Sequence, residues 1–165
     1  MSGDARRESI VRAALPVFAR LGRDGAGTDE IARAAGVSQP YVIRLFGGKD
    51  TLFLAVIDDL FDRISEALTM SQPAPTDTRL AVMLAAYRDV TDDPVIAHMA
   101  VQAVAAAISD DEVRQRVRAR IHELHKMVWA AAGGDTDAVR EFFGTVTLID
   151  MVAALDVPGL LGPGW

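Results

Sequence analysis

Between Thr28 and Gly47 the apolar residues Ile31, Ala35, Val37, Val42 and Leu45 recur at positions that all point into the angle between two short helices. Ala32 is small where those helices cross. Gly36 stands where the chain must leave the first helix through a left-handed residue, a conformation that costs a residue with a side chain about 1–2 kcal/mol. Between the inward positions lie Ser38, Gln39, Pro40, Tyr41, Ile43 and Arg44, which the second helix turns outward. The pattern predicts a helix-turn-helix whose second helix offers its outer face to the major groove of a DNA duplex. Glycine-turned helix pairs also occur in all-α proteins that never touch nucleic acid, so the flanking sequence matters.

Upstream, Glu8 to Leu21 places Val11, Ala14, Leu15, Phe18 and Leu21 on one helical face, which would pack behind the reading pair. Pro16 within this stretch removes a backbone hydrogen bond, and a bend is expected there. Downstream, Leu52, Phe53, Val56, Ile57, Leu60, Phe61, Ile64 and Leu68 form the most regular helical stripe in the chain, a lever leaving the head. The chemistry of the outward residues suits a duplex. Gln39 carries a donor and an acceptor side by side, matching N6 and N7 of adenine, and Pro40 stiffens the first turn. Arg44 can fork onto guanine or hold a phosphate; its position does not choose. Thr28 and Ser38 are good N-caps, each setting a helix N-terminus where a phosphate can bind, although capping alone would account for both.

The charge is divided. Residues 1–50 carry eight Lys and Arg against six Asp and Glu, a net +2, whereas residues 51–165 carry nine against seventeen, a net −8. A weakly basic head can collect phosphates while an acidic body stays clear of them. Half of the residues are hydrophobic and cysteine is absent, which excludes a disulfide framework and thiol chemistry. The chain has no apolar run near the roughly 20 residues that cross a bilayer and no signal-peptide pattern, so a cytoplasmic protein is expected.

The rest of the chain reads as helices between clear punctuation. Ser71 to Thr76, with Pro73 and Pro75, ends the lever; Thr76 or Asp77 caps a helix to about Val90; Asp92-Asp93-Pro94 opens another to about Ile108. Ser109-Asp110-Asp111 begins a long helix to about Ala132, Gly133-Gly134 closes it, Asp135 or Thr136 caps the last helix, and Pro158 stops it. The tail from Gly159 to Trp165 holds too much glycine and proline for a helix. The fold expected is all-α: a three-helix helix-turn-helix head over residues 1–48 and a helical bundle body over 49–165. On the last helix Val139, Phe142, Phe143, Val146, Ile149 and Ala153 make an apolar face wider than one hairpin partner covers. Asp150 interrupts it, either exposed at the bundle edge or bonded to a partner subunit or ligand.

The run Thr28-Asp29-Glu30-Ile31-Ala32, then Ala35-Gly36-Val37-Ser38, then Phe46, Lys49, Leu52 and Phe53, resembles the TetR family of bacterial repressors over roughly residues 8–60. That resemblance implies a homodimeric repressor that binds a palindromic operator in double-stranded DNA and is released by a small, apolar effector. It implies that Lys49, opening the fourth helix, grips the DNA backbone, so that Thr28, Ser38, Gln39, Pro40, Tyr41, Arg44 and Lys49 form the DNA-binding set. It also implies that the last two helices of two subunits pack into a four-helix bundle through Val139, Phe142, Phe143, Val146, Ile149 and Ala153. An effector pocket is expected behind the lever, with Met83, Tyr87, His98, Met99, Gln102 and Trp129 as candidates. One departure stands out. The position of Ile43 is usually a tyrosine that meets a phosphate, and Tyr41 is the nearest hydroxyl to replace it.

No cofactor or metal is expected. His122-Glu123-Leu124-His125 resembles the start of a zinc-protease helix, but the second histidine belongs where Lys126 stands. Two further classes remain open on the sequence: a helical interaction module with an impaired DNA head, and a small metal-dependent enzyme.

Overall fold

The computed structural model describes residues 3–71, 73–75 and 77–162. Among them are eight α-helices: α1 (Gly3–Gly25), α2 (Thr28–Ala34), α3 (Gln39–Phe46), α4 (Lys49–Met70), α5 (Arg79–Thr91), α6 (Pro94–Ser109), α7 (Asp111–Ala131) and α8 (Thr136–Leu155), followed by a 3₁₀ turn at Pro158–Leu161. No strand occurs among the described residues.

The first three helices close over Ile10, Phe18, Ile31, Val42 and Phe46, all buried. Phe18 of α1 meets Phe53 of α4 edge to face, ring centroids 4.9 Å apart, which joins the head's core to the lever. All eight stripe residues of α4 are buried, as their spacing predicts. Head and body share one continuous apolar cluster. α1 packs most extensively along α6, and α4 runs between α1, α5 and α7.

Helix ends follow the chemistry of their side chains in the body but not in the head. Asp93, Asp110 and Asp135 cap α6, α7 and α8, accepting from the amides of Val95, Val113 and Asp137 at 3.0, 2.9 and 2.9 Å. In the head, Gly27 occupies the N-cap of α2 and Thr28 lies one residue inside it. Ser38 does occupy the N-cap of α3, yet its side chain makes no capping bond. The expected capping by Thr28 and Ser38 is therefore absent. The helix after the lever begins at Arg79, with Thr78 at its N-cap; of the two expected caps, Asp77 lies in the preceding turn and Thr76 falls outside the described residues. Pro16 lies inside α1 with its side chain exposed, and the helix breaks further on, at Gly22 (φ 70°, ψ 177°). Part of the tail expected to lack helix forms the 3₁₀ turn, whose short pitch suits Pro158 and Gly159.

The α2–α3 turn is closed by two backbone bonds, Gly36 N–H to Arg33 O at 3.2 Å and Val37 N–H to Ala32 O at 2.9 Å, a Schellman arrangement. Gly36 adopts φ +65° with open space where a Cβ would stand. Gly36→Ala is therefore expected to destabilise the chain by about 1–2 kcal/mol through backbone strain alone. Urea unfolding of both proteins measures this.

Candidate nucleic-acid interface

α3 stands on the head with one face committed to the core and the other to solvent. Val42 and Phe46 are buried, Leu45 is half-buried, and Ser38, Gln39, Pro40, Ile43 and Arg44 are exposed. Tyr41 is half-buried against the core, and the Arg44 guanidinium lies over its ring, 5.0 Å from the centroid. Stacking steadies a long cationic side chain at the protein surface.

Further contacts hold this face in place. Arg7 of α1 donates to Leu45 O at 2.9 Å and lies over the buried Phe46 ring at 4.3 Å, filling an open carbonyl at the end of α3. Gln39 Nε2 donates to Thr28 Oγ1 at 2.7 Å, so two of the expected DNA-binding side chains are bonded to each other. Lys49 opens α4 and donates to Asp24 O at 3.2 Å, which brings it to the end of α1. Arg7 carried no sequence signal, because its partner lies 38 residues away and is a backbone carbonyl.

A joint between head and body lies behind this face. Arg23, near the end of α1, reaches Asp50 at 3.0 Å and Asp110 at 2.8 Å, bridging the start of α4 to the cap of α7. The bond to Asp50 chiefly holds the Arg23 guanidinium above its ordinary range, and the Val113 amide chiefly holds the Asp110 carboxyl below its own. Gly22 lies so close to α6 that a Cβ there would stand 2.9 Å from Gln102 Oε1. Deeper in the body, Asp58 and Asp62 of α4 pair with Arg116 and Arg120 of α7. Matching intervals of four residues on the two helices are the signal by which sequence could have found these pairs.

The expected effector set does not converge on one cavity. Met83 and Met99 are fully buried core residues. Tyr87 is buried, and its hydroxyl donates to Asp150 at 2.8 Å from Oδ1 and 2.9 Å from Oδ2. His98 and Gln102 line an open groove of about 720 Å³ between α1, α6 and the end of α8. Trp129 is 41% exposed on the outer face of α7. The split follows from helix geometry, since α5, α6 and α7 direct these residues to different sides of the bundle.

Asp150 is not at an exposed edge. Its bond joins α8 to α5 within one chain, and burial pushes its carboxyl up to about 6 despite the Tyr87 hydroxyl. Burial also raises the Tyr87 hydroxyl well above its ordinary range, with the Asp150 charge adding to the shift.

The face of α8 expected to join two subunits turns inward: Val139, Phe142 and Ile149 are buried in their own chain, and Phe143, Val146 and Ala153 are half-buried. Periodicity picks out the widest apolar stripe, which on a helix packed against α5, α6 and α7 is the core stripe. A second stripe, unmarked by sequence, faces solvent with Leu148 36%, Met151 50% and Leu155 62% exposed, and α7 also exposes Ile121 and Trp129. His122 and His125 lie on this outer side, rings stacked with centroids 6.5 Å apart. Among the described residues no three potential ligands gather to hold a metal ion.

An all-helical chain with a glycine-turned helix pair, and a second helix so exposed and braced, is a helix-turn-helix protein. Residues 10–56 match bacterial regulatory proteins of the tetR family. That match covers the helix-turn-helix head and the start of α4. The HTH-type transcriptional activator FasR of Mycolicibacterium smegmatis is 38% identical over 76 residues, 46% of this chain and 35% of the relative. The HTH-type transcriptional regulator RutR of Escherichia coli is 34% identical over 58 residues, 35% of this chain and 27% of the relative. The matched segment thus spans about a third of these curated relatives. Two solved structures share the fold over most of their length. A transcriptional regulator from Rhodococcus sp. superposes with a TM-score of 0.76 at 22% identity, covering 95% of this chain and 87% of that one. A TetR transcription regulator from Haloarcula marismortui gives 0.76 at 20% identity, covering 93% and 87%.

Proposed function

We propose that this protein is a DNA-binding transcriptional regulator that grips a palindromic operator as a homodimer, with residues 1–48 as the reading head and 49–165 as the dimerisation and effector body. The observation that carries this reading is the exposed face of α3 from Ser38 to Arg44, held by buried Val42 and Phe46 on a braced three-helix platform. Gln39 and Arg44 read base edges or phosphates; Thr28, Ser38, Pro40, Tyr41 and Lys49 position the head and hold the backbone. With a head charge of only +2, two heads must act together. The outer stripe of α8, centred on Leu148 and Met151, is the surface through which a second copy joins. Occupying an operator excludes other proteins from the same duplex, which is repression. Work of this kind places the protein in the cytoplasm, and no helix among the described residues is long and apolar enough to cross a membrane.

Effector release requires a ligand whose affinity differs between the DNA-bound and free arrangements. The groove lined by His98 and Gln102 suits that task because it borders α1 of the head and α6 of the body at once. Its volume falls within the range of small-molecule sites.

Selection of bound sequences from a random duplex pool, followed by shift assays at several salt concentrations, tests the reading. A palindromic consensus and steep salt dependence are expected. Gln39→Ala should weaken binding by about 1–3 kcal/mol and relax the preference at one base pair in each half-site. Duplex binding that ignores sequence, or no salt-sensitive binding at all, would support a helical interaction module instead.

A further inference from the structure

We infer that Thr28 is a specificity-determining positioning residue, which couples a backbone phosphate contact to the orientation of the amide that reads the base; the inference rests on the DNA-binding role proposed for α3. Gln39 occupies the first turn of α3 and is exposed, where a free glutamine samples several rotamers and both faces of its amide. Its Nε2 instead donates to Thr28 Oγ1 at 2.7 Å, across the turn and eleven residues away. Thr28 is half-buried in the first turn of α2 and caps nothing, so its hydroxyl is not consumed by the helix it begins.

A hydroxyl has one proton to give and can also accept, and a phosphate oxygen only accepts. When a DNA phosphate faces Thr28, the hydroxyl must donate to it and can then only accept from Gln39. That condition admits one orientation of the amide. Nε2 turns toward Thr28, and Oε1 with the second Nε2 proton is presented to the groove. An acceptor beside a donor is the pair that adenine complements through N6 and N7, whereas the flipped amide would require Thr28 to donate inward and abandon the phosphate. The base contact and the phosphate contact therefore form together. A protein lying on the backbone without its reading helix in register gains neither in full.

Thr28→Val keeps the shape of the side chain but neither donates nor accepts, and Thr28→Ser restores both functions. Selection from one random duplex pool is run with the wild type, both variants and Gln39→Ala, with affinity for bulk non-specific duplex and thermal unfolding measured in parallel. For Thr28→Val the expected result is roughly a tenfold loss of preference at the base pair whose preference Gln39→Ala relaxes, with other positions retained. Non-specific affinity should fall only by the one phosphate contact that the hydroxyl supplies, melting temperature should change little, and Thr28→Ser should recover both the contact and the preference. An unchanged base preference with a uniform fall in affinity would make Thr28 a phosphate contact alone and overturn the inference while leaving the DNA-binding reading intact. Absence of any enriched sequence with the wild type would overturn both.

Discussion

Met151→Arg is expected to convert the protein to a monomer and to lower its apparent affinity for a palindromic operator by about 10²–10⁴-fold, because two linked heads bind far more tightly than either alone. Met151 is 50% exposed near the middle of the outer stripe of α8, so an arginine can extend its charged end into solvent and the isolated chain should still fold. Across an isologous interface each substitution acts twice, placing two guanidinium groups on the exposed apolar stripe that holds Leu148 and Leu155. Leu148→Arg is a second test on the same face. Sedimentation gives the oligomeric state, and a shift assay gives the affinity. The dependence of binding on salt should also become about half as steep, since each monomer displaces counterions from one half-site only. A variant that remains dimeric would remove this face from the interface, and a monomeric wild type would remove the dimer itself.

Most of the fold was legible because its signals are local. The glycine at 36, the stripe on α4 and the aspartates opening α6, α7 and α8 each act within one or two helical turns. The exposed face of α3 was legible for the same reason, since the inward positions leave only one side for the rest. What could not be read depends on which helix lies beside which. Arg7, Arg23 and the Tyr87–Asp150 bond join residues 27 to 87 positions apart or link a side chain to a distant carbonyl. The α8 face expected to join two subunits lies largely against its own chain, because the strongest hydrophobic period marks the core and leaves the weaker stripe opposite exposed. The effector candidates scatter over the body for a similar reason: apolar and semi-polar character does not say which residues share a cavity.

The head is not an independent bead on a lever. Arg23 ties α1 to both α4 and the cap of α7, and Gly22 admits Gln102 against the backbone. A displacement of α6 by a ligand in the adjoining groove would therefore be felt directly at the end of α1, two residues before α2 begins. Packed elements of this kind shift as units, because close-packed interiors transmit strain rather than absorb it.

Asp150→Asn is expected to stabilise the protein at pH 7 by up to about 3 kcal/mol, raising the melting temperature by roughly 5–10 °C. The carboxyl is enclosed between α5 and α8, where burial pushes it from 3.8 up to about 6 while the Tyr87 hydroxyl opposes that shift. The folded chain therefore holds this proton more firmly than the unfolded chain does. Stability from such a group is fully present below about pH 4 and is lost as pH rises through 6, so at neutral pH the ionised carboxylate is a cost of folding. Asparagine is neutral, nearly the same size, and still accepts the Tyr87 hydroxyl through Oδ1. The gain should accordingly vanish when both proteins are unfolded near pH 4, where the wild-type group is already protonated. Subtracting the two stability curves cancels every other titrating residue and isolates the one at 150. Equal curves at pH 7, or a variant less stable there, would mean that the ionised form is the better-matched partner for Tyr87 and that burial does not govern this site.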